Sequence, residues 1–482
     1  MKETSRFYSS LGLLIVLNAI VKPLWIFGID RMVQNSVGTF EYGKYFALLN
    51  FSIVFSFLLD WGFTSFFNRQ LASQEKNFID HAGNFLFVKF LFLLLYAAVV
   101  FLVAWAAHIQ HWDILLGVVS IQALQSLFIF FRGVITAHQW FRTDAWLSVL
   151  DKTLMIILCG ILLTFPVLFG SITIDIFLIV QVSCSLLAMF TAWFIIQKNG
   201  IRFIVSKTAF FQKKIFKSAL PFASIVLLMS AHYRFDGFLL AQIHPDGAHE
   251  AGVYAAAYRF LDAANMIGVL LASFLLPYIA RQWSEKKDIT GIVLTSRHFL
   301  ILFSIAIATI TFFLAPWIQK LLYHHDDTEA IQVMQWCLPS LIGYSLVQVY
   351  GTVMTATGHI LSFCYITLVA VLINITLNVL LIPHWGARGS CFAALISQGF
   401  CGIAVMLYVW KKSAVVIHLR SLIIYIFTAA LSSGFLYWGN GLGINPPWLM
   451  AGVALISMAA LFTSGMHQWK QWLISFRKTE FK

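Results

Sequence analysis

Residues 197–217 read QKNGIRFIVSKTAFFQKKIFK: six lysines and arginines, no acid, set between apolar stretches at 173–196 and 217–242. A basic loop of this kind stays on the side from which insertion starts, while segments of about 20 apolar residues cross the bilayer on either side of it. Working outward gives fourteen apolar stretches, at 11–30, 43–67, 84–108, 112–136, 144–168, 173–196, 217–242, 251–279, 295–320, 330–355, 361–382, 390–410, 420–438 and 447–465. With both termini on one side, and charges within three residues of a stretch end counted with the adjoining loop, the loops of that side hold 22 of the 32 lysines and arginines, those of the other side hold 4, and 6 lie deeper inside the stretches. The chain therefore reads as an all-α polytopic membrane protein of about 14 transmembrane helices with both termini cytoplasmic. Its function is something done within or across a bilayer.

The composition agrees. Hydrophobic residues make up 60% and charged residues 11%, against about 45–50% and about 25% in soluble domains. The net charge of +12 would suggest nucleic acid in a soluble protein; here it resides in membrane-facing loops such as Lys411–Lys412 and the tail with Lys470, Arg477 and Lys478. The six cysteines all fall in apolar stretches without a CxxC pair, which points to free thiols. The first stretch carries Lys22 and lacks a small-residue cleavage site, so it reads as a retained helix.

The basic connection after helix six reads as a seam. It divides the chain into an N-terminal lobe (1–200, helices 1–6), a C-terminal lobe (201–412, helices 7–12) and an appendix of helices 13–14 with a cytoplasmic tail (413–482). A repeat supports this division: Glu41-Tyr42-Gly43-Lys44-Tyr45 follows helix one, and Glu250-Ala251-Gly252-Val253-Tyr254 follows helix seven. An even offset of six helices makes the lobes parallel repeats about a pseudo-twofold along the membrane normal.

Ten charges lie more than three residues inside the apolar stretches: Lys22, Lys89, Arg132, Lys152, Arg234 and Arg259, with Asp60, Asp151, Asp236 and Asp262. Each costs about 2.5–3.5 kcal/mol at the centre of a span, so they must pair inside the bundle or line water. Arg259 and Asp262 share a helix face. Arg234 and Asp236, and the adjacent Asp151 and Lys152, should diverge. Six bases against four acids leave a net positive interior, suited to an anionic substrate. Lys22, Lys152, Arg132, Arg234 and Arg259, with Arg31 and Arg69 near helix ends, are the candidate substrate residues, and the cations of the two halves are expected to converge. Asp60, Asp151, Asp236 and Asp262 are candidates for ion coupling. Pro23, Pro221 and Pro339 are candidate bending points. Asn374 and Asn378, four apart, should hydrogen-bond to a neighbouring helix. The loop His324-His325-Asp326-Asp327-Thr328-Glu329 offers either a metal site or a helix cap; the plain reading is the cap, and no metal or cofactor is expected.

Several blocks resemble the polysaccharide transporters of the multidrug/oligosaccharidyl-lipid/polysaccharide exporter superfamily. They are Val37-Gly38 through Tyr45, Asp60-Trp61-Gly62-Phe63 and Arg69; Leu220-Pro221-Phe222, Asp236, Gly252 through Arg259, and Leu276-Pro277; and Asn374, Asn378, Leu381-Ile382-Pro383, Arg388-Gly389-Ser390 and Ile396-Ser397-Gln398. The resemblance spans nearly the whole chain in order. It implies an O-antigen-type flippase of the bacterial inner membrane, moving undecaprenyl-pyrophosphate-linked oligosaccharide to the outer leaflet for lipopolysaccharide or related polysaccharide biosynthesis. It also implies two six-helix lobes around a central cavity, action as a monomer, and polymerase and chain-length machinery as partners. Related lipid II flippases hold pyrophosphate with arginines of the first, second and eighth helices, and Arg31, Arg69 and Arg259 sit at similar places.

Two other readings stay open. A multidrug or lipid II exporter of the same superfamily would share the fold; a drug cavity would be more acidic. A polytopic glycosyltransferase or polymerase would need a long outer loop and acidic catalytic residues, which the short loops do not offer. No P-loop is present, since Gly43-Lys44-Tyr45 lacks the upstream glycine and the Ser/Thr. The chain is thus expected not to be an enzyme, and to draw on an ion gradient, the membrane potential or removal of its product.

Overall fold

The computed structural model describes residues 2–61, 82–201, 213–323, 327–412 and 419–463. Arg69, His324-His325-Asp326, Arg202, Lys207 and the tail after Met466 lie outside them. The described residues are helical throughout their ordered elements: α1 (Lys2–Pro23), α2 (Arg31–Val37), α3 (Thr39–Val54), α4 (Ala82–Ala106), α5 (Trp112–Ala137), α6 (Phe141–Thr164), α7 (Ile174–Lys198), α8 (Lys213–Ile243), α9 (Gly247–Ser284), α10 (Thr290–Tyr323), α11 (Thr328–Cys337), α12 (Leu341–Ala356), α13 (Ile360–Lys412), α14 (Leu419–Gly441) and α15 (Pro446–Thr463).

Twelve helices among these residues are long and apolar enough to cross a membrane. One of them, α13, has 53 residues, roughly 80 Å at 1.5 Å per residue, more than twice the hydrocarbon thickness of about 30 Å. It is two spans joined by a kink at Gly386 (φ 51, ψ −132). With α8, 31 residues long, the count comes to fourteen. The protein is an all-α polytopic membrane protein, and side chains such as Leu94, Leu102, Trp105, Phe194 and Ile426 stand outward as a lipid-facing coat.

Local chemistry explains the breaks. Pro23 has no N–H to continue the ladder, and the seven residues after it, Leu24–Asp30, form a π-helix before α2 resumes the α-helix. Pro339 lies in the 3-10 turn Leu338–Ser340 that separates α11 from α12. The second helix starts four residues before its expected position, at Thr39, and passes into the 3-10 turn Phe55–Leu59. Asp327 caps α11, its carboxylate accepting from the Glu329 N–H at 3.0 Å.

Packing divides the chain into two compact units, Met1–Ala241 and Gln242–Lys482. In the first, α1 packs on α6, α3 on α5, and α7 on both α5 and α6. Its core joins Phe130, Phe131, Val134 and Ile135 of α5 to Ala188, Ala192 and Ile196 of α7. Most of α8 belongs here: Gly237 lies against Phe46 and Asn50 of α3, and Phe238 meets Phe51 with ring centroids 4.7 Å apart.

In the second unit α12 packs on α9, α10 and α13, and α14 on α10 and α15. Small residues let the backbones close: a Cβ at Gly343 of α12 would come 2.6 Å from the Gln398 carbonyl of α13. The two halves of α13 are tied by a buried polar network. Ser390 donates to the Asn378 Oδ1 at 2.5 Å, Asn378 Nδ2 donates to Asn374 Oδ1 at 3.2 Å, and Asn374 Nδ2 donates to Ser397 at 3.3 Å. The expected partner of Asn374 and Asn378 is thus the other half of the same kinked helix.

The repeated motif places equivalent tyrosines inside, Tyr45 and Tyr254 being 2% and 1% exposed, but its two glutamates part company. Glu41 is a surface residue paired with Lys44 at 2.8 Å. Glu250 is buried and accepts the Ala387 N–H at 2.6 Å just past the kink. Gly386 is needed there twice over: its φ is positive, and a Cβ would run into the Glu250 carboxylate.

Candidate substrate site

Three of the predicted cations come together in the first unit. Asn18 on α1 donates to Ser148 on α6 at 2.8 Å, which fixes the two helices in register. One turn further along each, Lys22 faces Asp151 and Lys152, with Arg132 of α5 in the same field. Arg132 is held by Asp144 in a two-point fork, Nε to Oδ1 at 2.7 Å and Nη2 to Oδ2 at 3.1 Å. Lys152 pairs with Asp151 at 3.4 Å and stands over the Trp25 ring at 5.3 Å, a favourable place for an ammonium. Adjacent residues were expected to diverge. The long flexible lysine stem instead turns back to its neighbour.

Lys22 is half-buried and has no carboxylate within 4.0 Å among the described residues. Three bases and two acids leave this cluster with an excess positive charge. Arg132 and Lys152 retain side-chain exposures of 23% and 22%, so the cations are open to a ligand. The chemistry on offer is recognition of an anion by an ammonium and a fork-shaped guanidinium.

The other predicted residues are distributed as follows. Arg31 is half-buried at the start of α2, next to Asp30, which is 1% exposed and accepts from the Tyr42 hydroxyl at 2.8 Å. Arg234 of α8 lines a cavity of about 360 Å³ with Ile53, Ile225, Val226, Met229, Ser230 and Tyr233; Asp236 is buried two residues on. Arg259 and Asp262 are half-buried on α9. Further along that helix, Asn265 accepts from Gln348 of α12 at 3.5 Å. Asp60 is engaged by Lys89 at 2.7 Å, and the lysine is 2% exposed. In the loop after α9, hydrogen bonds from Lys287 and Arg281 hold the exposed Glu285 carboxyl below the usual carboxylate range.

Sequence reasoning missed four buried charges: Asp30, Asp144, Glu250 and Arg297. All lie near helix ends, where hydropathy assigns charges to loops. The spacing of Arg132 to Asp144 across the short α5–α6 connection was the available signal for one of them. Among the described residues no group of three or more His, Cys, Asp or Glu comes together to hold a metal.

Residues 8–283 match the family described as polysaccharide biosynthesis protein, more than half of the chain. The chain belongs to the polysaccharide biosynthesis protein family. Residues 221–380 also match the MatE family, and the two together place it in the multidrug/oligosaccharidyl-lipid/polysaccharide exporter superfamily. No curated protein matches this family member in sequence. Solved structures share its fold. A lipid II flippase MurJ in an inward closed conformation has a TM-score of 0.69 at 14% identity, covering 96% of this chain and 99% of that one. An inward-facing multidrug resistance MATE family transporter has a TM-score of 0.62 at 13% identity, covering 81% and 94%. A Vibrio cholerae MATE transporter, VcmN, has a TM-score of 0.55 at 16% identity, covering 86% and 98%. The protein is a multi-pass membrane transporter at the level of this superfamily.

Proposed function

We propose that this transporter is a flippase for undecaprenyl-pyrophosphate-linked oligosaccharide repeat units, seated in the bacterial cytoplasmic membrane with both termini inside. The observation that carries the reading is the cationic excess of the Lys22–Arg132–Lys152 cluster. Its helices place it from the middle of the span toward the end bearing the basic loops, where a pyrophosphate from the inner leaflet would first arrive. Arg31, Arg69, Arg234 and Arg259 are proposed to continue the contact with phosphate and sugar, and Asp60, Asp151, Asp236 and Asp262 to be available for ion coupling.

No covalent step is involved. The cluster binds the pyrophosphate by charge, the isoprenoid stays in lipid, and the protein changes which side is open. The test is genetic and chemical together. In a glycan-displaying host, a Lys22→Gln/Lys152→Gln variant should lose surface glycan while the complete lipid-linked repeat accumulates on the inner leaflet. Undiminished display at equal protein level would reject the assignment. Loss of the lipid-linked repeat itself would point to synthesis rather than transport.

A further inference from the structure

Arg297, two turns into α10, is 2% exposed. Its Nη1 donates to the Tyr350 hydroxyl of α12 at 3.3 Å, and its Nη2 donates to the Ser421 hydroxyl at the start of α14 at 2.9 Å. Tyr425, one turn along α14, also faces the guanidinium and shares a 2.7 Å hydrogen bond with His298 Nδ1. The Arg297 Nε is buried with no partner. Among the described residues no carboxylate lies within 4.0 Å of this cation. Among the described residues the comparably buried Lys89 is served differently, by Asp60 at 2.7 Å.

The arrangement is rich in donors and short of acceptors. A guanidinium only donates. The Ser421 and Tyr350 oxygens accept from it, so their own hydroxyl protons must point elsewhere, and the Nε–H is unmet. A buried charge surrounded by neutral dipoles alone is costly; it is relieved by a counter-charge that also takes up hydrogen bonds. We infer that this cluster is a binding site for a phosphate group, with Arg297 as the fork-shaped cation and Ser421 and Tyr350 as flanking donors.

Its position names the source to test first. The cluster lies at the membrane edge that carries Arg281, Lys286, Lys287, Lys411 and Lys412, basic groups that draw anionic headgroups to a surface. It sits one layer beneath a lipid-facing stretch of α14, where Ile423, Ile426 and Phe427 are exposed. An anionic phospholipid headgroup reaching in beside Tyr425, which is half-buried, fits that setting; a free phosphate has the same chemistry. The inference does not depend on the flippase reading, since it involves none of the proposed substrate residues.

The test uses the full chain in nanodiscs of phosphatidylcholine, whose quaternary ammonium screens its own phosphate. To these is added either phosphatidylglycerol or inorganic phosphate, and the melting temperature is read. A saturable rise of about 2–4 °C is expected from one of the two additions. A rise in the lipid arm identifies a headgroup, and a rise in the phosphate arm identifies a free anion. The rise should vanish in Arg297→Gln and shrink in Ser421→Ala. If Arg297→Gln does not fold, Ser421→Ala combined with Tyr350→Phe carries the comparison. No rise from either addition, or an equal rise in the variants, overturns the inference.

Discussion

Reversing the sign of the charge change in the Lys22 cluster should reverse the sign of its effect on pyrophosphate binding. Two unit charges 4 Å apart interact by about 4 kcal/mol at an effective dielectric of 20. Lys22 is half-buried, so screening by water reduces its share to about 1–2 kcal/mol, roughly 5–30-fold in affinity at 1.4 kcal/mol per decade. Lys22→Gln should therefore weaken binding of a short-chain polyprenyl pyrophosphate by that factor. Asp151→Asn raises the local charge by the same unit and should tighten it, while the double variant should return near the wild type. Calorimetric titration of the purified protein at low salt reads all four values. Raising the salt toward 1 M, where the screening length is about 3 Å, should compress them. If Lys22→Gln and Asp151→Asn move affinity in the same direction, or if neither moves it, the cluster does not hold pyrophosphate by charge.

Three further outcomes follow from the packing. Asp60→Asn strands the buried Lys89 ammonium and should cost about 3–5 kcal/mol of stability; the Asp60→Asn/Lys89→Met double variant should recover much of it, and strictly additive losses in thermal melts would show that the pair is not coupled. Gly386→Ala forces a side chain into a positive-φ position already faced by the Glu250 carboxylate, so little folded protein should be recovered in fluorescence-detected size exclusion, whereas normal yield would contradict the kink described here. Glu250→Gln keeps the shape but removes the charge from the bond to the Ala387 N–H, with an expected loss of about 1 kcal/mol; a gain in melting temperature would be inconsistent with that bond.

The fold was legible because its largest energetic term is written in the sequence. Twenty-residue apolar runs and the sidedness of lysine and arginine do not depend on partners. The helix count and a break between 382 and 390, where the kink at Gly386 falls, follow from that. Register within the helices was less visible. The π-helical stretch after Pro23 and the early start of α3 at Thr39 arise from local ladder geometry, which hydropathy does not sense. The candidate site was half legible. Lys22, Arg132, Lys152 and Asp151 stood out as charges at membrane depth, but their pairing did not. Arg132 is answered by Asp144, which hydropathy assigns to a helix end, and Lys152 is answered by its own neighbour. Counting charges thus overstated the uncompensated cations: Lys89, Arg132 and Lys152 all have carboxylates, and Lys22 supplies the excess. Arg297 escaped notice for the opposite reason. It stands at the start of an apolar stretch, close to a basic loop, and only the tertiary arrangement shows it enclosed by hydroxyls.

The most direct measurement is translocation itself. Purified protein reconstituted into liposomes with an undecaprenyl-pyrophosphate-linked oligosaccharide should make the sugar accessible to an externally added lectin at a protein-dependent rate, and Lys22→Gln/Lys152→Gln proteoliposomes should match protein-free ones. Lectin accessibility that is no faster with the wild-type protein than without it would contradict the account.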